Sequence, residues 1–152
     1  MVKIIFFKAK TAIKNKWLNS LIAWKTDGPY SHCEIYFNRS RQSFSADAEY
    51  NKCHFKIRNL NFDQWDIVEL DVDDYETYLA CKEFENHYYD WMGIIFNFLI
   101  PINIQHRSKF FCSELIVRIL QLVRYDKVMG MRAHKIDPNK LYRILTNGKS
   151  YV

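Results

Sequence analysis

Residues 31–37 read Ser-His-Cys-Glu-Ile-Tyr-Phe, and their alternation of side-chain character decides how the chain is built. Period two is the signature of a strand, with Cys33, Ile35 and Phe37 on one face and His32, Glu34 and Tyr36 on the other. The turn signal Asp27-Gly28-Pro29 precedes the strand and Asn38-Arg39-Ser40 follows it, so both ends are punctuated. Moving toward the N-terminus, residues 3–7 (Lys-Ile-Ile-Phe-Phe) form a short apolar run of the kind that makes a buried strand. Residues 12–24 carry Ile13, Trp17, Leu18, Leu21, Ile22 and Trp24 at mostly helical spacing. Moving the other way, short strands are expected over Ser43–Ala48, Cys53–Ile57 and Asp66–Val72, separated by polar turn residues such as Asn59. An antiparallel sheet is the natural assembly.

The pattern changes at Asp73. Tyr75, Tyr78, Leu79 and Phe84 recur at helical spacing behind an acidic start, which suits the positive end of a helix. Asp90 is placed to cap a second, apolar helix ending near Pro101. From Cys112 the chain reads Cys-Ser-Glu-Leu-Ile-Val-Arg-Ile-Leu-Gln-Leu-Val. Leu115, Ile116, Ile119, Leu120 and Val123 form one stripe, and Glu114, Arg118 and Gln121 lie opposite, as in an amphipathic helix. Asp137-Pro138 then supplies an N-cap and a proline at the first helical position, opening a last helix through Leu141 to Leu145. The expected class is α+β, an antiparallel sheet packed against helices, in one domain over 1–152.

Composition narrows the function. The chain has 152 residues, 49% of them hydrophobic and 16% aromatic, with four Gly and three Pro. That is enough to bury a core without disulfides or metals. The four cysteines form no CxxC pair and MVKIIFF is not a signal peptide, which points to a reducing, cytoplasmic setting. The longest apolar stretch, Ile94–Ile104, is broken by Asn97, Pro101 and Asn103 and is shorter than the ~20 residues of a membrane span. A net charge of +5 favours anionic partners only mildly. A basic module holding nucleic acid or an acidic protein, with Tyr88, Tyr89 and Trp91 as stacking groups, is therefore a weaker alternative to enzymatic function.

Two residues carry candidate chemistry. Cys112 lies at the start of its helix, where unpaired N–H groups and the helix dipole favour a thiolate and can hold an oxyanion, with Arg107 and Lys109 adding positive field. Its spacing from Leu115, Ile116 and Ile119 also fits an ordinary core cysteine. His32, on the strand face away from Cys33, is the candidate general base. The third group, orienting the imidazole, is sought in Glu34 on the same face or Asp47 on the next strand, with Ser45 behind them. Zinc is excluded as a reading because Cys33 and Cys53-His54 lack ligand-pair spacing and consecutive strand residues face opposite ways; no cofactor is expected.

Four segments, Tyr30-Ser-His-Cys-Glu-Ile35, Tyr89-Asp-Trp-Met-Gly-Ile94, Phe110-Phe-Cys-Ser-Glu-Leu-Ile116 and Ile136-Asp-Pro-Asn-Lys-Leu-Tyr-Arg143, together resemble the permuted NlpC-type, YiiX-like cysteine hydrolases, whose short members occur often in bacteriophages and other viruses. The resemblance implies a circularly permuted papain-like fold in which the histidine strand precedes the cysteine helix. It carries Cys112 over as nucleophile and His32 as its base. Asp47-Ala48 is the better match to the third polar position, while Glu34 departs from the small or apolar residue usual at its place. It further implies hydrolysis of an amide in a peptide or peptidoglycan-like substrate. An acyl substrate is the alternative, because lecithin:retinol acyltransferase-like proteins share the permuted order. For a viral member the location would be the host cytoplasm or the virion.

Overall fold

The run Lys-Ile-Ile-Phe-Phe belongs to a strand that is covered on both faces, which explains why it reads as continuous apolar sequence rather than as an alternation. The structure is a computed structural model and describes residues 1–12, 27–47, 50–89, 109–110 and 112–147. The long strands are β1 (Val2–Lys8), β2 (Tyr30–Phe37), β3 (Gln42–Asp47), β4 (Lys52–Ile57) and β5 (Trp65–Leu70). Two short strands, β6 (Tyr88–Tyr89) and β7 (Lys109–Phe110), complete a sheet of order β5-β1-β2-β3-β4-β6-β7. All neighbours are antiparallel except β6 and β7. The α-helices among the described residues are α1 (Asp74–Phe84), α2 (Cys112–Leu122) and α3 (Pro138–Asn147), and with the sheet they make an α+β protein.

The main core lies on one face of the sheet. Ile4, Phe6, Cys33, Ile35, Phe37 and Phe44 meet Leu115, Ile116, Ile119 and Leu120 of α2 and Leu141 and Ile144 of α3. The four α2 side chains are fully buried, each worth about 1.5–3 kcal/mol relative to exposure. On the opposite face a smaller cluster of Ile5, Tyr36 and Trp65 packs with Phe7, Leu60 and Ile67.

Helix starts are built as the capping residues require. Asp73 Oδ1 accepts from the N–H groups of Tyr75 (2.9 Å) and Glu76 (2.8 Å), and Asp137 Oδ1 accepts from Lys140 N–H (2.8 Å). In α1 the buried residues are Thr77, Ala80 and Cys81, whereas Tyr75 and Leu79 face outward. Tyr78 and Phe84 pack against the core, so the spacing marks the helix and part of the side it covers. The expected helices over 12–24 and 90–101 lie outside the described residues beyond Ala12, as do Ala48 and Arg107. Among the described residues no helix is long and apolar enough to cross a membrane.

Candidate active site

Two irregularities in β2 shape the site. The β1–β2 register passes from Phe7↔His32 to Lys8↔Tyr30, so Ser31 is an extra residue and the strand bulges one position before His32. Bulges bend a strand and re-aim the neighbouring side chain. On its other edge, β2 pairs with β3 only through Ile35↔Phe44, Tyr36↔Ser43 and Phe37↔Gln42. Among the described residues no strand continues the pairing along the first half of β2 on that side, and α2 packs against this strand.

The beginning of β2 is pinned from α3. Asn139, only 2% exposed, receives the Tyr30 N–H on Oδ1 at 2.9 Å and donates from Nδ2 to the Tyr30 carbonyl at 2.8 Å. A Cβ on residue 28 would fall 2.2 Å from Asn139 Oδ1, so only glycine lets the chain pass this clamp. The start of α2 is tied to the segment before α3 by Ser113, whose hydroxyl donates to the Ile136 carbonyl at 2.6 Å. One short region before and within α3 thus holds both the histidine strand and the cysteine helix.

Within that frame Cys112 and His32 meet. Cys112 is the first residue of α2 and 6% exposed. The His32 ring and the thiol and backbone N–H of Cys33 all act on its sulfur, drawing the Cys112 thiol toward its charged form. The His32 side chain is 23% exposed, so the pair is not sealed. His32 Nε2 lies 3.1 Å from Glu34 Oε1, which leaves Nδ1 to face the sulfur. Trp65 stands edge-on to the imidazole, 6.5 Å between ring centres.

Glu34 is fully buried and multiply charge-paired. Its carboxylate receives Arg58 Nη2 at 2.6 Å and Nε at 3.1 Å, Lys56 Nζ at 2.9 Å, and the His32 ring. The guanidinium also lies over the Trp65 ring, 5.0 Å from its centre. The resemblance favours Asp47 for the third position with Glu34 as the alternative, and the carboxylate on the imidazole is Glu34. Asp47 instead pairs with Lys56 at 2.5 Å and approaches His54 Nε2 at 3.8 Å, so Lys56 bridges the two carboxylates. The physical reason is the strand geometry. Glu34 shares a face of β2 with His32, while the β2–β3 ladder stops before Asp47 would come opposite. Ser45 lies on the same side of the sheet as His54, its cross-strand partner.

The electrostatics separate one cysteine from the other three. The hydrogen bond from the Cys33 thiol, opposed by burial and reinforced by the His32 charge and hydrogen bond, holds the Cys112 thiol well below its ordinary range. The helix N-terminus acts in the same direction. Burial, and then the neighbouring Cys112 sulfur, push Cys33 well above that range; burial alone raises Cys53 to about 12 and Cys81 well upward. For His32, burial works against the charged form but is outweighed by the Cys112 charge and hydrogen bond and then by Glu34, leaving it at about 9. Glu34 likewise stays ionised: burial disfavours its charge, but the His32 hydrogen bond, Lys56 and Arg58 draw it well below the usual carboxylate range. These shifts favour a thiolate at Cys112 and an imidazolium at His32, backed by the Glu34 carboxylate.

Sequence reasoning missed Asn139 and the Cys33 contact. Asn139 follows a proline at a helix start and looks like ordinary first-turn composition. Cys33 was assigned to the core face, which it occupies, but its edge contact with Cys112 has no sequence signal. Among the described residues no group of His, Cys, Asp and Glu is arranged to hold a metal ion. Comparison with family models, with curated proteins and with solved structures finds no match to this chain.

Proposed function

We propose that this chain is a cysteine hydrolase of the permuted papain-like, NlpC-type kind, cleaving an amide bond in a peptide or peptidoglycan-like substrate. The observation that supports it is the hydrogen-bonded series from Cys112 at a helix start, through His32, to the buried Glu34. A core cysteine and an incidental surface histidine have no reason to be assembled in this way from distant parts of the chain.

In this reading the Cys112 thiolate attacks the carbonyl carbon. The oxyanion forms beside the backbone N–H groups that open α2. The His32 imidazolium then gives its proton to the departing amine, the C–N bond breaks, and a thioester remains on Cys112. Neutral His32 next takes a proton from water, hydroxide attacks the thioester, and the carboxylic acid leaves as the thiolate–imidazolium pair is restored. Glu34 keeps the ring oriented and stabilises its charged form, with Arg58 and Lys56 holding the carboxylate in turn. Order in the chain, with the histidine strand before the cysteine helix, is what the permuted arrangement requires.

Brief iodoacetamide treatment at neutral pH, followed by peptide mass mapping, ranks the four thiols. Cys112 is expected to be labelled first and to lose that lead in a His32→Ala variant. A panel of peptide, peptidoglycan-fragment and lipid-ester substrates then assigns the bond cleaved. If Cys112 is the slowest thiol in the folded protein, the hydrolase reading is wrong and the basic binding module replaces it.

A further inference from the structure

Holding Glu34 accounts for only part of the Arg58 side chain. Nε and Nη2 each give a hydrogen bond to the Glu34 carboxylate, at 3.1 and 2.6 Å. Among the described residues no acceptor takes Nη1, although a guanidinium presents its donors as a planar fork on which a second carboxylate can dock. The group is held in place from several sides. The Arg58 backbone N–H bonds the Arg41 carbonyl at 2.9 Å, and the guanidinium carbon lies 5.0 Å from the ring centre of Trp65, itself buried. The side chain nonetheless keeps 28% of its surface in solvent.

Charge and position fit this outer edge to an anion. Glu34 Oε1 also receives Lys56 Nζ at 2.9 Å and the His32 ring at 3.1 Å, so one carboxylate serves Arg58, Lys56 and His32 together. Asp47 offsets Lys56, and a protonated His32 then leaves surplus positive charge at the Arg58 end of the cluster. Arg58 Nη2 and His32 Nε2 touch the same oxygen, which puts the guanidinium beside the ring nitrogen that does not serve the thiol. We propose that Arg58 is a specificity-determining residue of the site, and that its Nη1 edge receives a carboxylate carried by the substrate on the leaving-amine side of the scissile amide.

The choice of side follows from the proton transfer and rests on the hydrolase reading. His32 gives its proton to the departing nitrogen, so the chain beyond that nitrogen passes over the imidazole toward Glu34 and Arg58. The substrate class narrows accordingly, to an amide whose amine component carries a free carboxylate, as in an acidic peptide or a peptide that ends shortly beyond the cleaved bond. A neutral lipid ester offers nothing to this edge. Arginine suits the place better than lysine, because its fork can hold Glu34 on one side and a second carboxylate on another while keeping its charge.

N-iodoacetyl-glycine and its neutral glycinamide counterpart alkylate a thiolate through the same carbon and differ only in the terminal carboxylate. Their rates at Cys112 are measured on the full chain at low ionic strength by peptide mass mapping, with N-acetylcysteine amide as the reference thiol. Taking the ratio of the two rates cancels any change in the thiolate population. Relative to the reference, the ratio should favour the carboxylate at least about tenfold, fall to within about twofold of the reference in Arg58→Gln, and be kept in part in Arg58→Lys. A ratio that Arg58→Gln leaves unchanged would overturn the proposal, as would a preference lost in His32→Ala alone. Should Arg58→Gln fold poorly, Arg58→Lys decides, and an undiminished ratio there is equally fatal. The readout does not use hydrolysis, so a chain with the Arg58-dependent preference that cleaves no amide sinks the hydrolase reading alone. One that cleaves amides without the preference sinks this proposal alone.

Discussion

Replacing Glu34 by glutamine removes one negative charge from a position with no solvent access while leaving an oxygen that can still receive the His32 Nε2 proton. The rise of His32 from 6.5 to about 9 corresponds to roughly 3 kcal/mol at ~1.36 kcal/mol per pH unit, net of burial. A hydrogen bond to a charged partner is worth about 1.5–3 kcal/mol and a neutral one about 0.5–1.5 kcal/mol, so losing the charge alone costs the imidazolium on the order of 1 to 1.5 kcal/mol. Lys56 and Arg58 stay behind, within reach of the same carboxylate position, and their repulsion adds in the same direction. His32 should therefore titrate at least about one pH unit lower in Glu34→Gln, by the same conversion.

The Cys112 thiolate loses part of its counter-charge with it, so the midpoint for thiolate formation should move up. Both are measurable without a substrate: the imidazole by NMR titration of its ring protons, the thiolate by its ultraviolet absorbance with Cys112→Ser as the blank. Lys56 and Arg58 are 18% and 28% exposed and can turn toward water, so the variant should remain folded. A folded Glu34→Gln protein in which His32 still titrates at about 9, or in which the thiolate midpoint falls, would refute the role assigned to Glu34.

Asp47→Asn should change the His32 titration far less than Glu34→Gln, because Glu34 contacts the imidazole directly and Asp47 is linked to Glu34 through Lys56; an equal or larger shift would move the orienting role back to Asp47. Cys112→Ser should bring His32 below about 9, since the Cys112 sulfur is the largest influence raising it; an unchanged NMR titration would mean the pair is not formed in solution. Asn139→Ala removes both bonds to the Tyr30 backbone and should cost about 1–3 kcal/mol in denaturant unfolding; a loss within error would show the clamp to be dispensable. Glu34 has a folded pKa below its ordinary 4.5, so the unfolded chain binds more protons on the acid side. Its contribution is complete above about 4.5 and is lost as pH falls through the folded value, and the acid slope of stability should flatten in Glu34→Gln.

The parts of the fold that could be read from the sequence are those that rest on period and punctuation. Alternation in Ser31–Phe37 fixed which side chains share a face, the stripe from Leu115 to Leu120 became the buried side of α2, and Asp73 and Asp137 cap the helices they precede. Less legible was anything decided by pairing limits. The strand beginning at residue 43 starts one residue earlier, at Gln42, and the bulge at Ser31 leaves no mark in residue type. The choice between Glu34 and Asp47 turned on where one ladder ends, a tertiary property that no local pattern reports.

The same limit explains how Cys112 and His32 come together at all. The apolar stripe that begins at Cys112 belongs against Cys33, Ile35 and Phe37, while alternation sends His32 to the opposite face. Taken literally, the two patterns place the sheet between the thiol and the imidazole. A helix packed on the His32 face would remove the conflict, but α2 packs with the Cys33 face. The way out is the stretch of β2 that β3 does not pair with. Because β3 leaves the ladder at Ile35↔Phe44, the Cys33 N–H is not taken up by that strand and acts on the Cys112 sulfur, lowering its pKa. A sulfur held beside the strand rather than above it is within reach of side chains from either face, His32 from one and Cys33 from the other. Extending the β2–β3 ladder by one residue pair would engage that N–H and close the edge, so the short ladder is as much a requirement of the site as the residues themselves.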